Sequence, residues 1–139
     1  MDLIGSGVTD MTVIPDSHRD LLERPLYAHL ATIRPDGRPQ VNPMWFSWDG
    51  EHLLFTNTTT RQKYKNVTSH PEVAISVNDP DQPYRYLEVR GVVERIDDDS
   101  DGIVFAALAE RYGLPMDGPP GDVADRVVYR VTPVSTSSQ

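Results

Sequence analysis

Apolar and polar residues alternate in short stretches along most of this chain, and the period becomes helical in only three places. Tyr27–Arg34, Arg38–Trp48 and Glu51–Thr56 read as strands, joined through Pro35-Asp36-Gly37 and through Asp49-Gly50. Asp-Gly between extended runs is a hairpin signal. Val73–Asn78 and Arg85–Arg95 follow, separated by the turn Asp79-Pro80-Asp81-Gln82-Pro83, and Arg126–Val131 is the last strand. Pro15-Asp16-Ser17 ahead of Leu21-Leu22 predicts a short capped helix ending near Arg24-Pro25. Thr60–His70 is a second helix, stopped by Pro71. Asp98–Tyr112 is the third, with acids expected in its first turn, apolar spacing through Ile103, Val104, Ala107 and Leu108, and Gly113 as its stop. Residues 1–15 are weakly patterned and expected to form an arm, and 135–139 a flexible tail.

Six strands, mostly linked by hairpins, against three short helices predict a mainly β fold: a six-stranded antiparallel barrel with peripheral helices, one domain over 1–139. Six short strands enclose a space filled by their own side chains. A sizeable ligand is therefore expected outside the barrel, where two subunits meet.

Composition narrows the function classes. The chain has 139 residues, a formal net charge of −8 and no cysteine. An acidic balance argues against general nucleic-acid binding, which requires a broad basic surface. Without cysteine there is no disulfide framework, thiolate nucleophile or Cys-based metal site. No basic-then-apolar leader and no apolar run of membrane-spanning length is present, so a cytoplasmic protein is expected. His18, His29, His52 and His70 fall in separate elements, and Asp97–Asp101 lacks the spacing of a calcium loop, so no metal site is expected.

The chemistry concentrates in one segment. The chain has only two lysines, Lys63 and Lys65, and both lie with Arg61 just after Thr56-Asn57-Thr58. Here an apolar strand runs through hydroxyl residues into a helix start. Unpaired helical N–H groups, the positive dipole end and charge-assisted donors all favour a phosphate or carboxylate. The residues alone fit either an anion cradle or a solvated basic helix face.

Three passages point to a family. Ala31-Thr32-Ile33-Arg34-Pro35-Asp36-Gly37-Arg38-Pro39-Gln40 resembles the opening of the split-barrel flavin-binding proteins, the pyridoxamine 5'-phosphate oxidase-like superfamily. Thr56…Arg61-x-Lys63-x-x-Asn66…His70-Pro71-x-Val73 and Tyr86-x-x-Val89-x-Gly91-x-Val93 resemble later parts of the same fold, in the right order and spacing. The resemblance spans Leu26 to about Ile96, with Arg126–Val131 in place as the final strand. It implies an FMN-binding type of split barrel, homodimeric, with its cofactor site at the subunit interface.

Two branches of that superfamily differ in their cofactor. Pyridoxamine phosphate oxidases proper hold the FMN phosphate with an Arg…Lys pair on the second strand and a Ser-Arg-Lys triplet before the helix. Here the second strand reads Gln40-Val41-Asn42-Pro43-Met44-Trp45, without either cation, and the triplet position reads Arg61-Gln62-Lys63. The pattern Arg-x-Lys-x-x-Asn is instead similar to the branch that binds the deazaflavin coenzyme F-420. There the resemblance implies that Arg61 and Lys63 face phosphate or acidic tail, with Thr56, Asn57, Thr58 and Asn66 as further contacts. Asn66 also fits a bond to neighbouring backbone. Pro43 marks an edge or bulge in its strand, so Val41, Asn42, Pro43 and Met44 form the expected ring platform. Alternation puts Met44, Phe46 and Trp48 on one face, as core or interface, and Trp45 on the other. Tyr84 and Tyr86 are expected to line the site from the second subunit. The implied activity is F-420-dependent hydride transfer to a small organic acceptor, with no catalytic side chain singled out. An FMN-dependent oxidoreductase and a non-catalytic flavin or haem-type binding protein remain the alternatives.

Overall fold

The computed structural model describes residues 13–139. Seven strands form one antiparallel sheet: β1 (Ala28–Ile33), β2 (Pro39–Met44), β3 (Ser47–Trp48), β4 (Leu53–Thr58), β5 (Glu72–Asn78), β6 (Tyr86–Asp98) and β7 (Arg126–Ser138). Their order is β2-β1-β5-β6-β7-β4-β3. The two edge strands are thus consecutive in the chain, separated only by Trp45 and Phe46. Seven strands laid flat at about 4.8 Å spacing would part their edges by about 29 Å, whereas three Cα–Cα steps reach only about 11 Å. The sheet has to curl until its edges meet, and the result is the split barrel.

That same constraint explains why seven strands appear where six are expected. The segment Arg38–Trp48 divides because its first part pairs with β1 and its last two residues with β4. The alternation nevertheless carries through the break. Phe46 is fully buried, Met44 and Trp48 pack against the core, and Trp45 faces the other way into a cavity.

Three helices sit around the sheet: α1 (Asp20–Glu23) after a 3-10 turn at Asp16–His18, α2 (Gln62–Ser69) and α3 (Ile103–Arg111). α3 starts later than expected because β6 runs on through Asp98. The acids therefore precede α3 instead of lying in its first turn. Asp99, 1% exposed, turns its carboxylate inward to accept from Val104 N and Phe105 N, each at 3.0 Å.

The tail is ordered rather than flexible. β7 continues through Ser138 alongside β6, and Gln139 and Tyr86 exchange backbone hydrogen bonds of 3.0 and 3.1 Å. Hydroxyl side chains suit this edge: Ser137 donates to Glu88 at 2.7 Å and Thr136 to Val13 O at 2.8 Å. The expected N-terminal arm lies outside the described residues except for 13–15, where Ile14 is buried in the core. No helix among the described residues is long and apolar enough to cross a membrane.

Two features hold the barrel in shape. Registers shift at Arg90/Gly91 and Val93/Arg95, which bends β6 across β7. A Cβ at Gly91 would lie 2.6 Å from Thr132 O and 2.8 Å from Val131 Cγ1, so the strands approach as closely as glycine allows. At the closure point the backbone of Phe46 is served by α3 and its cap: Phe46 N donates to Tyr112 Oη (3.0 Å) and Phe46 O accepts from Arg111 Nε (2.9 Å). Arg111 also reaches the carbonyls of Leu22 (3.1 Å), Glu23 (3.1 Å) and Arg24 (2.8 Å), capping α1. Tyr112 donates to Leu26 O at 2.6 Å.

Replacing Arg111 with methionine keeps the aliphatic stem but removes donors to four carbonyls. We expect a loss of about 3 kcal/mol, from charge-assisted bonds withdrawn from partly buried acceptors. Urea denaturation of Arg111→Met measures this, and a change below about 0.5 kcal/mol, the scale of an ordinary surface substitution, would refute the role.

Candidate functional site

The cavity next to the closure point holds about 560 Å³ and is lined by Tyr27, Pro43, Met44, Trp45, Thr56, Asn57, Thr58, Arg61, Lys63, Phe105 and Arg126. That volume lies within the range of sites that enclose a small-molecule ligand. Its walls come from four directions, and each has a local cause.

The end of β4 supplies the polar floor. Thr56, Asn57 and Thr58 are all buried, at the strand end that pairs with the start of β7 and leads into α2. Asn57 donates to the Tyr129 hydroxyl at 3.0 Å, and burial pushes that phenol up to about 12 despite the Asn57 bond. Thr58 and Thr60 share a hydroxyl contact of 2.9 Å that shapes the turn into α2. Arg61 then occupies the N-cap of α2 in extended conformation, with no side chain capping the helix. Lys63 falls in the first turn, so spacing two apart brings both cations to the same cavity. Burial, and secondarily the neighbouring Arg61 charge, push the Lys63 ammonium below its ordinary value.

The other walls are apolar. β2 is the sheet edge, with Pro43 opposite His29 of β1 and no strand on its other side; Pro43 and Met44 present themselves to the cavity. Trp45 stacks on Tyr112 with centroids 5.0 Å apart and planes 10° apart, and Phe105 lies 6.3 Å away. Because Tyr112 is tied down by Leu26 and Phe46, the indole has a fixed backing. Tyr27 stacks on the other side of Tyr112 at 5.9 Å. Arg126 closes the remaining side, its guanidinium 4.3 Å over the Phe105 ring.

Seven of the residues singled out in the sequence line this cavity: Pro43, Met44, Thr56, Asn57, Thr58, Arg61 and Lys63. Five do not. Val41 is 60% exposed on the outer side of β2, and Asn42 accepts from Gln40 at 3.0 Å beside it. Asn66 is fully buried. It donates to Thr32 Oγ1 (2.9 Å) and Gln40 Oε1 (3.2 Å) and accepts from Gln62 (2.9 Å), which fastens α2 to the sheet. Tyr84 is 85% exposed, and Tyr86 pairs through its backbone with Gln139, both away from the cavity of their own chain. Four lining residues escaped the sequence reading. Trp45 is placed only on the face opposite Met44, Phe46 and Trp48, Phe105 goes unremarked inside the third helix, Tyr27 reads as the start of a strand, and Arg126 as the start of another, opposite Thr58 in register.

The cavity thus joins a flat apolar wall to a cluster of donors. Such a site could hold a planar ring carrying an anionic arm: the ring would lie along Pro43, Met44 and Trp45, and the arm would meet Thr56, Thr58, Arg61 and Lys63. A flavin-type cofactor has that shape, and the donor set fits its phosphate.

Comparison with known proteins gives a family and several neighbours. The family model described as Pyridoxamine 5'-phosphate oxidase matches residues 14–139. A solved structure named F420 Reductase is 59% identical, with a TM-score of 0.88 over 91% of this chain and 100% of that one. A conserved hypothetical protein from Mycobacterium tuberculosis is 25% identical, with a TM-score of 0.65 over 99% of this chain and 86% of that one. HutZ, the haem storage protein from Vibrio cholerae, shares the fold at 21% identity, with a TM-score of 0.62 over 89% of this chain and 93% of that one. Comparison with curated proteins gave no match.

The strain on Lys63 is directly measurable, since a Lys65→Arg chain retains it as the only lysine. An NMR titration of that chain is expected to place its midpoint below 10.5. An anion stabilises the charged form, so adding sulfate should raise the midpoint, and affinity should fall as pH climbs through it. A midpoint at or above 10.5 without anion would contradict the buried, cation-flanked setting.

Proposed function

This chain belongs to the pyridoxamine 5'-phosphate oxidase family, and we propose that it is an F-420-dependent oxidoreductase acting on a small organic acceptor. The observation that carries this reading is the meeting of Arg61, Lys63 and the β4 hydroxyls with an apolar strand edge in one cavity. The likeness to the F420 reductase agrees with it, as does the absence of Arg or Lys from β2, where phosphate oxidases proper hold FMN.

In this reading Arg61 and Lys63 bind the phosphate and acidic arm, with Thr56 and Thr58 donating hydroxyls. Pro43 and Met44 orient the ring against β2, and Trp45, backed by Tyr112, limits its tilt. When bound, reduced F-420 supplies a hydride at its ring. The protein's part is to fix that ring, keep water from one face and leave the other to the acceptor. The Tyr129 hydroxyl holds its proton firmly and contacts Asn57, so its role is to position the cavity floor.

The site is open on one side within a single chain. We assign the closing wall to a second copy, in a homodimer, with Tyr84 and Tyr86 reaching across from the partner. Light scattering is expected to give twice the chain mass; a monomer at micromolar concentration would remove this part of the reading.

A side-by-side fluorescence titration with F-420 and FMN tests the cofactor. F-420 should bind more tightly, and Lys63→Ala should weaken it by about tenfold or more, the scale of one charge-assisted contact. Preference for FMN would move the chain to the flavin alternative. Tight F-420 binding without oxidation of the reduced cofactor across an acceptor panel would indicate a carrier instead of an enzyme.

A further inference from the structure

Arg126 is the cation in the cavity that neither the family pattern nor the sequence reading uses, and its hydrogen bonding is incomplete. Its side chain is 11% exposed. Nη1 is held by both oxygens of Asp122 at 3.2 Å, and Nη2 donates to Thr56 Oγ1 at 3.2 Å. Nε is buried with no partner, which among the described residues holds for no other buried side-chain nitrogen or oxygen. Nε–H and the neighbouring Nη2 form one edge of the guanidinium, the fork that matches two oxygens of a carboxylate or phosphate. Here that fork meets one neutral hydroxyl on the cavity floor, while the only carboxylate is spent on the opposite edge. An unpartnered buried donor is costly, and an oxyanion is the ligand that would satisfy both positions at once.

We propose that Arg126 is a third anion-binding residue, one that takes an oxyanion on its Nε/Nη2 edge while Asp122 stays on Nη1. The ligand then carries an anionic group beyond those met by Arg61 and Lys63. Asp122 is part-exposed and closes the Pro/Gly loop that leads into β7, where Asp125 O accepts from Thr59 N at 3.0 Å. The choice of F-420 as ligand rests on the function proposed above; the anion site itself does not.

The test uses full-length protein with two probes, F-420 and inorganic pyrophosphate, measured by calorimetry. Arg126→Gln and Arg126→Lys are both expected to weaken binding by about tenfold or more, since lysine cannot form the fork. Asp122→Asn, on the exposed loop, is expected to tighten binding by roughly threefold or more, because it removes a negative charge from beside the bound oxyanion. A merely structural ion pair would predict the opposite sign for Asp122→Asn. The proposal is overturned if both Arg126 variants bind within about twofold of wild type, or if Asp122→Asn binds more weakly. Wild type that binds pyrophosphate but not F-420 defeats the functional reading alone, with the variants still deciding Arg126 on pyrophosphate. Wild type that binds neither probe defeats both.

Discussion

The meeting of the two sheet edges at Trp45 and Phe46 is the constraint from which the remaining structure follows. Consecutive edge strands force the curl, and the curl leaves the Phe46 backbone outside any ladder. Its N–H and C=O are satisfied instead by Tyr112 and Arg111, from a helix 65 residues further along the chain. The same two side chains cap α1 and bind Leu26 O, so one corner joins four separate parts of the chain. Buried backbone groups do not go unpaired, and here that requirement decides where α3 must dock.

Docking α3 in this way also builds the site. With Tyr112 fixed, Trp45 has a flat surface behind it, and Phe105, about two turns earlier on α3, faces the indole and supports the Arg126 guanidinium. The cavity's apolar wall is therefore a by-product of barrel closure. Its polar side comes from the opposite logic. Arg61 and Lys63 sit together in a chain of net charge −8, and burial first, then the Arg61 charge, lowers the affinity of Lys63 for its proton. In the function proposed above, this pair of cations is what receives the anion.

Local pattern made much of this legible. Arg61, Lys63 and the Thr56–Thr58 run lie within one short segment, so their convergence needs only a strand end and a helix start. Pro43 announced an edge strand for the same local reason. What depended on long-range pairing was hidden. The split of Arg38–Trp48 into two strands follows from partners β1 and β4, which alternation cannot distinguish, since Met44, Phe46 and Trp48 keep their phase across the break. Arg126 looks like an ordinary strand-opening residue until β7 is known to lie beside β4. The Ser/Thr tail reads as disordered because its stabilisation comes from β6, not from its own apolar content. Asn66 shows that a motif residue can serve the fold: its amide is consumed in joining α2 to Thr32 and Gln40.

The Thr56–Arg126 contact joins residues 70 apart in the chain. Loop closure over such a separation is entropically late and slow compared with hairpin formation. The β1–β2 hairpin can form early, but the cavity has no floor until β7 has crossed β6 and reached β4. Chains stalled before that step own the cations yet lack the pocket that would use them. A ligand seated there binds only the finished barrel, and by mass action it draws the population toward that state. A ligand of this cavity would then raise the share of newly made chain that persists.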